Sequence, residues 1–231
     1  MPEAALLGRV RGLWEGLAGS GARFPADGGT QVVVSPGSRL CPPAWVGAVR
    51  IGDSALVTAP DEATARRIPA DFEALRPTGE AGGMPGSARD ALGPAALAYL
   101  PPGGLRVTAT AAVATPEAVR RLLETVGAED ANESGLADTD SPVFAVRSGS
   151  RLLAAAGYEV WPASTAHMCV LAAPEARGRG LATEAAAAAV RHALDAGLLP
   201  QWRARVGASR RVAERLGFRE VGEQMSVRFR I

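Results

Sequence analysis

Cysteine is nearly absent from this 231-residue chain: Cys41 and Cys169 stand far apart, with no CxxC pair and no metal-like spacing. That excludes a disulfide framework and a cysteine-built zinc site, and both thiols are expected to be reduced and the chain cytoplasmic. Aromatics make up only 5% of the residues, so the core has to be assembled from Ala, Leu and Val, which favours helices packed closely on a sheet. Net charge is missing too. With 25 basic against 24 acidic residues the balance is +1, and no global field recommends nucleic acid or an anionic membrane as a partner. Nor is there an apolar run long enough to span a bilayer. Met1 to Ala18 places Leu6, Leu7, Val10, Leu13, Trp14 and Leu17 at helical spacing, but Glu3, Arg9, Arg11 and Glu15 interrupt it, so it reads as an amphipathic helix and not as a signal peptide or membrane span.

What is abundant is alanine, arginine and glycine, the coding bias expected of a GC-rich bacterial genome. The length suits one complete domain with a smaller companion. After the first helix, Gln31 to Val34, Trp45 to Ile51 and Ala55 to Val57 read as strands, the last two joined as a hairpin at Gly52-Asp53-Ser54. Asp61 to Arg67 and Asp71 to Leu75 look helical, Pro77 to Ser87 is a glycine- and proline-rich linker, and Ala95 to Leu100 is another short strand. Pro101 to Gly104 marks the expected boundary between domains 1–103 and 104–231. Beyond it a strand is expected over Leu105 to Ala112 and a helix opening on Thr115-Pro116, with a second helix over Asp130 to Ala137. Strands follow at Val143 to Arg147, Arg151 to Trp161 and Ala166 to Leu171, then a long helix from Gly180 to Ala196. The end reads as a strand at Gln201 to Arg205, a helix from Ser209 to Leu216 and a closing hairpin, Arg219 to Val221 with Gln224 to Arg230. The class is α/β or α+β, with a mixed sheet.

The segment from His167 through Arg177-Gly178-Arg179-Gly180-Leu181-Ala182-Thr183 runs from a buried-looking strand through a turn into an alanine-rich helix. This is an anion-binding layout: the first helical N–H groups lack partners, the macrodipole adds positive charge, the glycines admit close backbone approach, and the arginines supply charged donors. A bare G-x-G is as readily a tight turn. The run lacks the lysine and spacing of a P-loop and the third glycine and acidic residue of a dinucleotide fold.

These residues resemble the coenzyme A signature of the GNAT superfamily of N-acetyltransferases, [Q/R]-x-x-G-x-[G/A], with Arg177, Gly180 and Ala182 in its fixed positions. A second resemblance lies in Ser209 to Leu216-Gly217-Phe218, whose helix stands beside the pantetheine arm in that family. The order of elements from Leu105 onward is similar as well. The resemblance implies a mixed, mostly antiparallel sheet flanked by helices, with acetyl-CoA as cosubstrate and no metal. It implies a direct acetyl transfer to a primary amine of a small molecule or peptide. Backbone at Val170, Leu171 and Ala172 would pair with pantetheine, Arg177 to Thr183 would hold the pyrophosphate, and Ser209 would face the arm. Residues 1–103 then read as a shrunken second half that walls the acceptor cleft.

Two positions depart from the family. Val206 stands where many relatives have Asn, and Ala213 where many have a Tyr that protonates the leaving thiolate. They motivate an alternative, an acyl-CoA-binding sensor or structural module without chemistry. A base is still required for the ammonium, and Glu159 and His167 are the candidates, each with an ordinary structural role as its alternative. Cys169 reads as core and His192 as surface. The arginines at 203, 205, 210, 211, 215 and 219 interleave with Glu214 and Glu220 and lack stacking aromatics, so a solvated face, with one arginine on the coenzyme A 3′-phosphate, is expected and not nucleic-acid binding. Oligomeric state is not legible, and a homodimer stays open.

Overall fold

A computed structural model describes residues 3–19, 21–68, 88–108 and 110–229. The chain divides into two compact units, Met1–Leu97 with Glu220–Ile231, and Ala98–Arg219. In the first, helix α1 (Glu3–Ala18) buries Leu6, Val10, Leu13, Trp14 and Leu17 along the stripe its spacing sets. The strands are β1 (Gly29–Val34), β2 (Val46–Ile51), β3 (Ser54–Ala59), β4 (Ala88–Tyr99) and the closing strand β10 (Arg219–Phe229). They lie in the order β1-β3-β2-β10-β4, with β1 and β3 parallel and β2 antiparallel to both β3 and β10. A short helix, α2 (Glu62–Ala65), is capped by the Asp61 carboxylate on the Thr64 N–H.

The second unit begins with an irregular stretch and the two-residue strand β5 (Ala112–Val113), followed by α3 (Pro116–Thr125) and α4 (Ala128–Ser134). Thr115 caps α3 on the Ala118 N–H with Pro116 in the first turn, as its sequence predicts. Then come β6 (Phe144–Ser148), β7 (Arg151–Trp161), β8 (Thr165–Ala172), α5 (Leu181–Asp195), β9 (Leu199–Ala204) and α6 (Gly207–Leu216). The order is β9-β8-β7-β6-β5, antiparallel except for the parallel pair β8–β9. One sheet face carries Ala154, Ala156, Tyr158, Ala166, Met168, Trp202 and Ala204 against α5 and α6, and the other carries Ala155, Cys169 and Leu171 against α3. Five consecutive alanines of α5, Ala185 to Ala189, are buried, which only side chains this small allow on every side of a helix. Together the units give a mixed α/β fold, mostly antiparallel and flanked by helices.

Two expected elements are absent. The strand expected over Leu105 to Ala112 is not formed at 105–108 or 110–111, and only Ala112 enters β5: Leu105 and Val107 pack on the core, and the Arg106 N–H goes to the Leu216 carbonyl instead of a ladder. The closing hairpin is one unbroken strand, because Gly222 is no turn. It sits opposite Ile51 in the ladder, where a Cβ would stand 1.8 Å from the Arg50 carbonyl oxygen. The helix read at Asp71 to Leu75 and the linker at Pro77 to Ser87 lie outside the described residues. No helix among those described is long and apolar enough to cross a membrane.

Candidate active site

The site begins where two strands part. Strands β8 and β9 are paired at Thr165↔Leu199, Ala166↔Pro200 and His167↔Gln201 only. β8 keeps its partner β7 as far as Ala154↔Ala172, so beyond His167 its other edge has no strand beside it. A cavity of about 420 Å³ opens there, between Met168, Val170, Leu171 and Ala172 on one side and Trp202, Arg203, Ala204 and Arg205 on the other. An unpaired strand edge offers a row of N–H and C=O groups, suited to a ligand that itself carries amides.

β8 then passes through a 3-10 turn, Pro174–Ala176, into the glycine loop and α5. Gly178 and Gly180 take the left-handed conformation at φ +76° and +81°, and Gly180 caps α5 without a side chain. A Cβ at either position would meet nothing within 4 Å, so the loop's backbone fronts open space at the positive end of a helix dipole. Thr183, in the first turn, is 8% exposed, and its hydroxyl has no hydrogen-bond partner. That orphaned donor lines the cavity with Arg177, Gly178, Gly180, Leu181 and Ala182. Such a group needs an acceptor to offset its desolvation, and a phosphate oxygen supplies one.

The opposite wall is α6. Its Ser209 hydroxyl accepts from the Trp202 indole at 2.9 Å, and Trp202 lies edge-on to Phe218. Leu216 and Phe218 are core, which accounts for the Leu-Gly-Phe run. Ala213 is 3% exposed and faces that core, not the cavity. Arg203, Arg205, Arg211 and Arg215 line the cavity with Arg177, against two carboxylates, Asp130 and Glu133. These arginines are thus the wall of a cationic cavity and not the purely solvated face their sequence suggests. Both carboxylates come from α4: Asp130 holds Arg177 at 2.6 Å, and Glu133 accepts from Arg205 Nε at 2.8 Å.

Glu159 and His167 are Cα partners across β7 and β8, and Gln201 continues the same row on β9. They point to the sheet face away from α5, and neither lines the cavity. His167 stacks on Trp161 at 4.1 Å, and its Nδ1 lies 2.5 Å from Gln201 Oε1. With that oxygen as acceptor the proton sits on Nδ1, leaving the lone pair on Nε2. Burial, then the nearby Arg203 charge, push the His167 pKa down to about 4 against the opposing Gln201 bond, so the ring is neutral at physiological pH. Burial likewise pushes the Cys169 thiol up to about 12, in keeping with its place in the core.

The structure gathers Val170, Leu171, Ala172, Arg177, Gly178, Gly180, Leu181, Ala182, Thr183 and Ser209 around one cavity. Arg179 is not among them: it points into a second cavity with Arg147 and Arg151. His192 is half-buried and not a free surface residue: its Nδ1 lies 2.9 Å from the Tyr158 hydroxyl and its ring packs on Phe144. Asp130, Glu133, Gln201 and Trp202 were invisible as site residues in the sequence. Only the fork brings them together. No group of three or more His, Cys, Asp or Glu able to hold a metal occurs among the described residues.

No curated protein matches the chain. Among solved structures it is similar to an acetyltransferase of the GNAT family from Colwellia psychrerythraea, at 13% identity over 62% of this chain and 59% of that one, TM-score 0.49. A putative GNAT-family acetyltransferase from Novosphingobium aromaticivorans is 20% identical over 62% of this chain and 67% of its own, TM-score 0.46. A GCN5-related N-acetyltransferase-like protein from Streptococcus suis is 14% identical over 98% and 99%, TM-score 0.43. The chain thus spans less than two thirds of the Colwellia protein. The GNAT acetyltransferase family model matches residues 144–225, from β6 to β10. This segment holds the forked strands, the glycine loop and α6, and is the part of the chain that is similar to the GNAT acetyltransferases.

Proposed function

We propose that the protein transfers the acetyl group of acetyl-CoA to a primary amine, by direct attack within a ternary complex. The observation that carries this reading is the fork of β8 from β9, continuous with a loop whose two left-handed glycines and orphaned Thr183 hydroxyl open onto the same cavity. The residues fit acetyl-CoA as substrate. Arg177, Gly178, Gly180, Leu181, Ala182 and Thr183 hold the pyrophosphate. The β8 edge at Val170, Leu171 and Ala172 pairs with the pantetheine amides, and Ser209 with Trp202 walls the arm.

The neutral amine attacks the thioester carbonyl carbon, the carbon–sulfur bond breaks, and the products are an N-acetyl amide and coenzyme A. Backbone N–H groups on β8 stabilise the developing oxyanion. Glu159 or the neutral Nε2 of His167 takes the ammonium proton through water. A free thiol has a pKa of about 8.5, so its thiolate departs without a dedicated acid.

One observation favours a second reading, an acyl-CoA-binding module without turnover. Among the described residues the cavity lining includes no Tyr, Cys or His, and the position many relatives give to Tyr is the core residue Ala213. Thiol release from acetyl-CoA, followed across a panel of amines, separates the two. Acceleration by at least one class of amine supports the transferase. Tight acetyl-CoA binding with every amine at background rate supports the module.

A further inference from the structure

Pairing between β8 and β9 ends at His167↔Gln201, so Met168 and Trp202 are the first side chains past the fork on the sheet face that meets α5 and α6. Both line the cavity, and both are buried, at 7% and 4% exposure. They form the floor of its inner end. Trp202 is also held on two sides: its indole N–H donates to the Ser209 hydroxyl at 2.9 Å, and its ring meets Phe218 edge-on at 5.4 Å. A buried ring with a satisfied N–H and an aromatic neighbour is fixed in place, whereas a methionine bends to its surroundings.

The rest of the wall on that face is made of smaller side chains, Val170 and Ala172 of β8, Ala204 of β9 and Val212 of α6. A pantetheine arm running from the glycine loop along β8 passes these and comes to Met168 and Trp202 last. The thioester, with its acyl group, stands at that far end of the arm. We infer that Trp202, positioned by Ser209, closes the inner end of the cavity against the acyl group, so that the site admits acetyl and refuses butyryl and longer chains. Ser209 acts through Trp202 in this, as a positioning residue. The inference rests on the acyl-CoA part of the proposed function and not on turnover, so it applies to the transferase and to the binding module alike.

The test is calorimetric titration of the full chain with coenzyme A and with acetyl-, propionyl-, butyryl- and hexanoyl-CoA. An open apolar end would tighten binding about fourfold for each added methylene, and a tail turned out to solvent would leave it flat. A closed end does neither. Butyryl-CoA is expected to bind roughly tenfold or more weaker than acetyl-CoA, because the extra methylenes are forced against a packed wall. Trp202→Leu is expected to raise the butyryl-to-acetyl affinity ratio roughly tenfold or more, and Ser209→Ala, which keeps the ring and removes its anchor, to raise it roughly threefold. Melting temperatures show whether the variants fold, and Trp202→Phe, a smaller loss, carries the same test if Trp202→Leu does not. Wild-type affinity that stays flat or rises from acetyl to hexanoyl overturns the inference, as does a ratio unmoved in the folded Trp202 variant. A ratio unmoved by Ser209→Ala overturns the positioning role of Ser209. Coenzyme A bound with no selection among acyl chains leaves the acyl-CoA reading standing and removes only the closed end; failure to bind coenzyme A and all of its thioesters removes both.

Discussion

Gly180 and Gly197 stand at opposite ends of α5, and the contrast between them isolates the proposed phosphate site. Gly180 caps the helix at φ +81° and Gly197 follows its end at φ +73°. In both places a Cβ would meet nothing within 4 Å, so neither alanine variant clashes with the protein. Each pays only for a left-handed L-residue, about 1–2 kcal/mol, which in a chain of this length lowers the melting temperature by roughly 2–4 °C per kcal/mol. The two variants are therefore expected to melt alike. They differ in what fronts them: Gly180 lines the cavity and Gly197 does not. The Gly180→Ala methyl occupies space meant for a phosphate, so calorimetric titration with acetyl-CoA is expected to show affinity reduced tenfold or more, about 1.4 kcal/mol or more. Gly197→Ala keeps wild-type affinity. Equal dissociation constants for the two variants would refute the placement of the phosphates.

Further outcomes follow from the neighbouring groups. Asp130 occupies Arg177 in a half-exposed pair, so Asp130→Asn is expected to tighten acetyl-CoA binding by up to about fivefold, the scale of an exposed ion pair; weaker binding would mean that Asp130 positions the guanidinium instead of competing for it. His167 falls from 6.5 to about 4 on folding, so as pH drops below 6.5 the unfolded chain binds the proton first and stability is lost until about pH 4. Urea melts at pH 7 and 4.5 should show the wild type losing about 2–3 kcal/mol relative to His167→Gln, and parallel losses would contradict the buried neutral ring. Ala213→Tyr is expected to cost about 1–3 kcal/mol by overpacking without raising turnover, since position 213 faces the core; a faster variant would show that the side chain reaches the thioester.

Local turn chemistry was the most legible layer of the sequence. Thr115-Pro116, Gly52-Asp53 and the glycines around α5 act within a few residues of themselves along the chain, so their neighbours in space change little. Leu105 to Ala112 misled because its alternation is real: Leu105 and Val107 do pack on the core, but no strand offers their backbone a ladder. Gly222 misled in the opposite sense, since a glycine demanded by a close carbonyl and a glycine in a turn look the same in one dimension. His192 was misread because it lies next to the polar stripe of Glu184, Arg191 and Asp195, at its edge, where the ring turns to Tyr158 and Phe144. At the site, the loop could be read because its residues are contiguous. The ion pairs from α4 and the row Glu159–His167–Gln201 could not, because they depend on where β9 leaves β8.

The central claim is that an acyl-CoA lies along the free edge of β8 and over the loop leading into α5. Amide hydrogen exchange, with and without saturating acetyl-CoA, tests it most directly. Protection is expected to rise at residues 169–172 and 178–184, with β1 to β3 unchanged. Exchange unaffected along β8 and the loop, or protection confined to other parts of the chain, would contradict the account.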